Sequence, residues 1–274
     1  MGSLRRGTSR PLMLFVSDVH GAFEPLRRLV ETDETLVVLG DLANLNDYRN
    51  GEGAVADVLG LDFALATADA RAAGDFVGMR KLWIDRVGQD AYEVRTRIGQ
   101  AIQRQYDMAG AALSGGNGFV IHGNVDRPTT LKKSLPDGFK YVHGETVEID
   151  GLRFGFVGGG LETPLRVEGE VSEEQMTELL AGLGSVDVLC THVPPAIRSM
   201  RRDVITGRDE RGSDPIRDYL EEHQPRFHMF GDVHQPQATI WRLGATRCFN
   251  AGYFRATGRF LRFDSAVVHA GRVH

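Results

Sequence analysis

Short clusters of acidic, amide and imidazole side chains recur along this sequence, and most of them follow a short apolar run. These side chains are common metal ligands in proteins. In chain order the clusters are Asp18-Val-His20, Gly40-Asp41, Gly123-Asn124-Val-Asp126, Thr191-His192, Gly231-Asp232-Val-His234 and Asn250-Ala-Gly252. Each cluster alone is more typical of a polar loop or turn. Delivered together from several strand ends, they would supply the carboxylates, amide oxygen and imidazoles of a two-metal hydrolytic site.

The apolar runs before these clusters predict buried strands. They are rich in Val, Leu, Ile and Phe without strict polar alternation, which is typical of strands covered on both faces. The runs are Leu12–Val16, Leu36–Leu39, Phe119–Ile121, Phe154–Val157, Val186–Leu189 and Phe227–Phe230. Further strands are predicted at Thr146–Ile149, Ala238–Arg242, Thr246–Asn250 and Arg259–Phe263. A polar side chain at the end of such a strand is held on a rigid support.

Helices are predicted between some of the strands. Ser172 followed by Gln175 matches a capping box, which predicts a helix running through Leu180. Asp214 precedes a proline, a pattern that predicts Asp214 as the N-cap of a second helix running through Glu222.

The segment from about residue 54 to 114 is predicted to be a helical insert. Apolar residues there recur at helical spacing. They are Phe76, Met79, Leu82, Trp83 and Val87, and then Val94, Ile98, Ile102 and Tyr106. Three interpretations remain open: a cover over the core, a lid, or a surface for homo-oligomer formation. Residues 1–10 are predicted to be a disordered tail, and residues 11–274 a single domain.

Composition narrows the class of protein. The chain has 274 residues, of which 42% are hydrophobic and 25% charged, with a formal net charge of −5. It therefore lacks a chain-wide basic footprint for nucleic acid. No apolar run approaches the length of a membrane span, and no signal peptide is evident. Cys190 and Cys248 are interpreted as reduced buried thiols, with a disulfide as the alternative. These features predict a cytoplasmic protein.

The order Asp-x-His, Gly-Asp, Gly-Asn-x-Asp, His, Gly-x-x-His resembles the motif order of the calcineurin-like metallophosphoesterase family. The motifs extend from Asp18 to His234. Asn250-Ala-Gly252 also resembles a turn that follows the last motif in many members. The resemblance implies an α/β fold, namely a four-layer αββα sandwich carrying the helical insertion, with a dinuclear metal centre at the strand ends.

The resemblance also implies which residues bind two divalent ions. The ligands of the first ion are then Asp18, His20, Asp41 and His234. The ligands of the second ion are Asp41, Asn124 and His192, with Asp41 as the bridge. His192 could in addition act as a catalytic side chain that offsets charge on the phosphate oxygens.

Asp232 departs from the family pattern, because the family usually has a histidine there that binds the second ion. An aspartate can bind the same ions, and its charge favours Mn or Fe over Zn, with Co and Ni as further candidates. Asp232 could also turn away, which would leave the second ion weakly held.

Val125 is the second departure, since many members have a histidine at this position. Valine cannot protonate a leaving group, so general-acid help of about 10²–10⁴-fold would be lost. Asp126 matches the family's acidic position and is a candidate catalytic residue. The alternatives for Asp126 are an ion pair with Arg127 and a hydrogen bond within its loop.

These observations predict a metal-dependent phosphoester hydrolase, most simply a phosphodiesterase that uses a hydroxide bridging two metal ions. The alternatives are a phosphomonoesterase or protein phosphatase, and a non-catalytic metal-binding scaffold of the same fold. The expected substrate is a small phosphoester, with a nucleotide as one candidate. Residues 44–53, 194–212 and 253–257 would form the loops near the leaving group. Four arginines could bind a second phosphate or be solvated surface: Arg198, Arg201, Arg202 and Arg255.

Overall fold

A computed structural model describes residues 12–47, 50–164, 166–205 and 207–273. The predicted tail at residues 1–10 lies outside this range.

The described strands are numbered in chain order. They are β1 (Met13–Val16), β2 (Thr35–Val38), β3 (Gly118–Val120), β4 (Phe139–Tyr141), β5 (Glu145–Ile149), β6 (Leu152–Val157), β7 (Gly160–Leu161), β8 (Glu170–Val171), β9 (Val188–Thr191), β10 (Phe227–Phe230), β11 (Ile240–Leu243), β12 (Thr246–Asn250), β13 (Arg259–Phe263) and β14 (Val268–Arg272).

The described α-helices are numbered in the same way. They are α1 (Phe23–Val30), α2 (Ala54–Leu59), α3 (Leu61–Ala72), α4 (Phe76–Val87), α5 (Ala91–Leu113), α6 (Pro128–Ser134), α7 (Glu173–Leu183), α8 (Arg198–Arg201), α9 (Asp214–His223) and α10 (Phe254–Thr257). A 3-10 turn at Gly88–Asp90 joins α4 to α5.

Two six-stranded sheets form the centre of the molecule. The first has the order β14-β13-β1-β2-β3-β4, and the second has the order β11-β12-β10-β9-β6-β5. Strands β1 to β4 are parallel to one another, as are β6, β9, β10 and β12. The antiparallel strands lie at the edges of the sheets. β7 and β8 form a separate small sheet.

Side chains alternate between the faces of each sheet and so create three apolar layers. Phe15 and Val37 of the first sheet pack with Phe156 and Met229 of the second, and these residues lie in the core between the sheets. On the outer face of the first sheet, the neighbours of Phe15 pack in a cluster that also contains residues of α1 and α5. A third cluster combines the second sheet with α7 and α9. The helix–sheet–sheet–helix layering confirms the predicted four-layer α/β fold.

Most predicted strands are present, but two are shifted. The strand predicted at Val186–Leu189 lies at Val188–Thr191, and the one predicted at Ala238–Arg242 lies at Ile240–Leu243. Both cysteines are free and buried, in agreement with the reduced-thiol interpretation.

The N-cap of α9 was assigned to the wrong residue. Ser213 has an extended backbone, and its hydroxyl accepts a hydrogen bond from the Ile216 N–H at 3.2 Å. Asp214 instead begins the helix, where its carboxylate lies 2.6 Å from Arg217 Nη1. The negative charge of Asp214 therefore interacts favourably with the positive N-terminal end of the helix dipole, while the Ser213 hydroxyl caps the helix. In α7 the predicted capping box of Ser172 and Gln175 is confirmed.

Helices α2 to α5 occupy residues 54–113 between β2 and β3. The helical rhythm in α5 corresponds to burial, because Val94, Ile98, Ile102 and Tyr106 all pack in the cluster that covers the first sheet. The rhythm in α4 correctly predicted a helix, but only Met79 of that helix is buried. α5 is thus the main cover over the core, and α4 contributes Trp83 and Val87, which are only partly buried against the same cluster. None of the described helices combines the length and the apolar character needed to cross a membrane.

Candidate metal centre

The predicted ligand residues come together where the parallel strands of both sheets end. Asp18 follows β1 and Asp41 follows β2 in the first sheet, while His192 follows β9 and Asp232 follows β10 in the second. Carboxyl ends of parallel strands share one edge of a sheet, so sequence-distant residues meet there. The backbone N–H of His20 bonds to the Asp41 carbonyl at 2.8 Å and fastens the first two loops together.

Four of these residues have a left-handed backbone. The φ angles are 58° at Asp18, 40° at His20, 56° at Asp41 and 66° at Asp232. Such values are uncommon outside glycine, although aspartate and histidine tolerate them better than most residues. Each left-handed residue turns the chain sharply at a strand end.

Gly40 allows the two sheets to approach each other closely at the site. Its φ is 101°, and a Cβ added there would lie 2.6 Å from the Gly123 nitrogen and 2.7 Å from Nδ1 of His192. Gly123 is similarly restricted, because an added Cβ would lie 2.0 Å from Oδ1 of Asp41. Close contact thus excludes a side chain at both glycines, and at Gly40 the positive φ is a second reason for glycine.

The first half of the cluster centres on Asp18. Its Oδ1 lies 3.5 Å from Nε2 of His234 and 3.8 Å from Nε2 of His20. Burial opposes ionisation of Asp18, but the neighbouring imidazoles of His20 and His234 outweigh it and lower the pKa of Asp18. An ionised carboxylate facing two imidazoles is a typical set of ligands for a divalent transition metal.

The second half centres on His192. Its Nε2 lies 3.5 Å from Oδ2 of Asp41 and 3.7 Å from Oδ1 of Asp232. Oδ2 of Asp41 is also 3.6 Å from Nε2 of His20, so this carboxylate lies between the two halves. Burial disfavours a charged His192, yet the Asp41 and Asp232 carboxylates raise its pKa well above the ordinary value.

Asp232 points into the cluster. Its Oδ1 accepts a hydrogen bond from Nδ2 of Asn124 at 3.2 Å, in addition to facing His192. Burial raises the pKa of Asp232 to about 6. The amide nitrogen of Asn124 is thereby directed at Asp232, which leaves the Asn124 carbonyl oxygen available as a ligand.

Backbone carbonyls orient two of the three imidazoles. Nδ1 of His192 lies 2.7 Å from the Leu39 carbonyl oxygen, and Nδ1 of His20 lies 3.3 Å from that of Ala43. A carbonyl only accepts, so Nδ1 of each ring carries a proton. When the ring is neutral, Nε2 therefore has a lone pair that is available to a metal ion.

Three buried polar atoms of the cluster indicate that metal ions would fit there. Oδ1 of Asp18, Nε2 of His20 and Nε2 of His192 have no hydrogen-bond partner among the described residues. Buried polar atoms normally have a partner, and those that do not require an explanation. Oxygen and nitrogen donors within reach of one another are the donor set of Mn, Fe or Zn sites. The residues present therefore fit divalent metal ions.

Asp126 lies behind this cluster and binds backbone N–H groups. Its carboxylate accepts hydrogen bonds at 2.8 to 3.3 Å. The donors are the backbone N–H groups of Asp41, Leu42, Ala43 and Gly123 and the hydroxyl of Tyr106. Burial and the nearby Asp41 charge raise the pKa of Asp126, and these hydrogen bonds oppose that rise. The contacts favour the alternative of a hydrogen bond within the loop.

The four candidate phosphate-binding arginines have partners within the chain. Arg198 and Arg202 lie 3.5 and 3.1 Å from Asp209. Arg201 donates to the Glu210 carbonyl at 2.8 Å. Arg255 lies 3.0 Å from Asp47 and 2.6 Å from Glu52, and also donates to the His20 carbonyl.

Tyr253 is a component of the site that the sequence did not single out. Its ring stacks on the ring of His234, with centroids 3.8 Å apart and an interplanar angle of 3°. The sequence placed Tyr253 only in a loop near the leaving group. Its position directly after Asn250-Ala-Gly252 was the available signal.

Residues 12–236 match the sequence profile of the family described as calcineurin-like phosphoesterase. This match covers well over half of the chain and includes every proposed ligand. The protein belongs to the calcineurin-like phosphoesterase family. Members are phosphoesterases that use divalent metals, so membership supports a hydrolase and agrees with the Asp and His clusters described above.

Several solved structures share the fold of this protein. One aligns with a TM-score of 0.62 at 17% identity, over 96% of this chain and 99% of that one. The TT1561 protein of Thermus thermophilus aligns with a TM-score of 0.56 at 15% identity, over 96% of this chain and 99% of that one. Such low identities show the fold alone. Among curated proteins, no sequence matches this chain.

Proposed function

We propose that this chain is a metal-dependent phosphodiesterase that uses two divalent ions. One observation carries the proposal: three buried donor atoms, which have no hydrogen-bond partner in the part of the chain that the structure describes, lie close together at the ends of both sheets. When bound, the ions would supply Lewis acidity, which acidifies water for attack on phosphorus and offsets charge on the phosphate oxygens.

The ligand assignment follows the geometry of the cluster. Asp18, His20 and His234 would hold the first ion, and His192 and Asn124 the second. Asp41 would contact both ions, because its Oδ2 faces His20 and His192 at nearly equal distances. Asp232, which faces His192 and Asn124, would be a further ligand of the second ion, and its charge would favour Mn or Fe over Zn, Co or Ni.

Two features support a diester over a monoester. Asp18, Asp41 and Asp232 place three carboxylates in the cluster, and a dianionic monoester would be repelled by them more than a monoanionic diester. Val125 has no proton to donate to a leaving group, and its backbone N–H donates to Oδ1 of Asp41 at 3.0 Å. Leaving groups that need protonation are therefore expected to react slowly.

The direct test is hydrolysis of bis(p-nitrophenyl) phosphate by purified protein loaded with Mn²⁺. Absence of turnover with each of Mn, Fe, Co, Ni and Zn, at verified metal content, would contradict the enzymatic function. Comparison with p-nitrophenyl phosphate separates a diesterase from a phosphomonoesterase or protein phosphatase. Asp41→Asn should abolish turnover. Asp150→Asn is the matched control, because Asp150 has a similar φ of 54° but lies in a surface turn.

A non-catalytic scaffold of the same fold is the second candidate, and Val125 is the observation in its favour. Metal content distinguishes the two, because a scaffold with a degraded site is expected to bind fewer than one ion per chain. A small phosphoester, with a nucleotide as a candidate, is the proposed substrate. The cytoplasmic location and the oligomer surface on the inserted helices stay predictions.

A further inference from the structure

His234 differs from the other two imidazoles of the cluster in how it is oriented. The rings of His20 and His192 are fixed by carbonyl oxygens at their Nδ1 atoms. Among the described residues, none forms a hydrogen bond with Nδ1 of His234, and its side chain is 27% exposed. A partly exposed imidazole without such a bond could rotate about its χ2 angle. Another group must fix its plane if it is to be a well-placed ligand.

Tyr253 provides that contact. Its ring is parallel to the His234 ring, and it also meets the His20 ring edge-on at a centroid distance of 5.8 Å and an angle of 74°. Tyr253 is only 3% exposed, so its ring is held by the surrounding protein. Stacking on a fixed ring limits rotation of the imidazole while leaving Nε2 directed at Asp18.

The backbone fixes Tyr253 relative to His234 independently of the stacking. The Asn250 side chain accepts from the Gly252 N–H at 2.7 Å and donates to the Val233 carbonyl at 3.1 Å. Asn250 thus ties the turn that presents Tyr253 to the loop that presents His234. The two rings are carried on one hydrogen-bonded unit.

We infer that Tyr253 is a positioning residue that sets the affinity of the first metal ion by fixing the plane of His234. The inference rests on the proposed function, because it requires the cluster to bind metal. The ring rather than the hydroxyl is responsible, since the ring makes the contacts with His234 and His20, whereas the hydroxyl is directed at Asp47. Phenylalanine at position 253 should therefore preserve the metal affinity, whereas leucine should not.

The experiment measures Mn²⁺ affinity and stoichiometry by calorimetry, with metal content checked by mass spectrometry. Tyr253→Leu should lower the affinity for the first ion by about tenfold or more, as loss of a group that orients a metal ligand typically does. Tyr253→Phe should remain within about twofold of wild type on the same scale. Tyr219→Leu is the matched control, because Tyr219 is also buried and contacts a histidine, His223, with centroids 4.4 Å apart.

A second measurement needs no metal. In the metal-free protein, stacking should shift the ring protons of His234 upfield in the NMR spectrum, with assignment from His234→Asn. The shift should persist in Tyr253→Phe and vanish in Tyr253→Leu. Equal Mn²⁺ affinity in wild type and Tyr253→Leu, or an unchanged His234 signal in Tyr253→Leu, would overturn the inference alone. A wild-type protein that binds no ion would overturn the proposed function and the inference with it.

Discussion

At the level of single residues, Asp126 joins the two loops that present Asp41 and Asn124. Its carboxylate accepts from backbone N–H groups on both loops and from the Tyr106 hydroxyl of the inserted helix α5. Hydrogen bonds to a charged group contribute about 1.5–3 kcal/mol each to stability. The position of two proposed ligands therefore depends on a carboxylate that binds the backbone of their loops.

Replacement of Asp126 should affect folding before chemistry. Asp126→Asn cannot accept at its amide nitrogen, so we expect the free energy of unfolding in urea to fall by about 2–4 kcal/mol. Tyr106→Phe removes the donor to Asp126 and the acceptor of the Arg127 N–H, and should cost about 1.5–3 kcal/mol. A fully stable Asp126→Asn protein with reduced turnover at full metal content would instead favour a catalytic role.

His228 predicts a pH dependence that is independent of the metal centre. Its ring is fully buried on β10, with Nε2 2.8 Å from the Thr191 hydroxyl and Nδ1 without a partner among the described residues. Burial lowers the pKa of His228 from 6.5 to about 3. Between these values the unfolded chain binds a proton that the folded chain does not, so stability falls as the pH falls.

His228→Gln removes this group and should flatten the pH profile. The difference in unfolding free energy between wild type and variant should decrease by up to about 1.4 kcal/mol per pH unit on going from pH 6 to pH 4. Urea unfolding across this range measures the difference. Parallel profiles for the two proteins would contradict the assignment of the proton to His228.

The sequence predicted which residue types would meet at the site better than it predicted their roles. Asp18, Asp41 and His192 each lie two or three residues after an apolar run, and their meeting depends on where the strands end. The role of Asp126 depends on the directions of loop N–H groups, which spacing does not encode. Tyr253 was not singled out because an aromatic residue in a loop has no distinctive pattern.

At the level of elements, the end of β2 determines how closely the two sheets approach. Gly40 lies there against Gly123 and His192, with no room for a side chain. Gly60, between α2 and α3, has a similar φ of 93° but nothing within 4 Å of an added Cβ. The pair separates the cost of a left-handed backbone from the cost of steric overlap.

Gly40→Ala should be far more harmful than Gly60→Ala. Backbone strain alone should cost Gly60→Ala about 1–2 kcal/mol of unfolding free energy. Overlap with backbone and imidazole atoms should raise the cost of Gly40→Ala to about 4 kcal/mol or more. Thermal unfolding compares the two variants, and equal losses would show that contact across the sheets is unimportant.

The sequence predicted elements well where burial and period agree, as in β1, β10 and α5. It did not single out α1 or β4, although both are present. In α4 the apolar spacing correctly indicated a helix, but Met79 alone of the spaced residues is buried, while Trp83 and Val87 are partly buried. Periodicity gives the shape of a segment, whereas burial also depends on which neighbours the tertiary fold supplies.

At the level of the whole molecule, the proposed ligands belong to both sheets. Asp18 and Asp41 come from the first sheet, and His192 and His234 from the second. Because each proposed ion has ligands from both sheets, the two ions would connect layers that otherwise meet through apolar side chains. The unfolded chain has no such arrangement of ligands, so binding energy should appear as folding energy.

Metal should therefore stabilise the whole fold. Mn²⁺ at a hundred times its dissociation constant should raise the free energy of unfolding by about 2.7 kcal/mol, and a chelator should reverse the gain. Asp41→Asn should show little of this response, because its bridging position is lost. A chelator-treated wild type with an unchanged melting temperature would argue against tight binding.

The left-handed backbone at Asp18, His20, Asp41 and Asp232 has a consequence for selection experiments. Each such residue costs of order 1–3 kcal/mol relative to a relaxed backbone. Glycine at these four positions would relieve that cost while removing a proposed ligand each time. A library screened for heat resistance without metal should therefore enrich glycine at these positions, trading activity for stability. Enrichment at these positions, absent when the same library is screened with Mn²⁺, would identify the residues that the protein keeps for their chemistry.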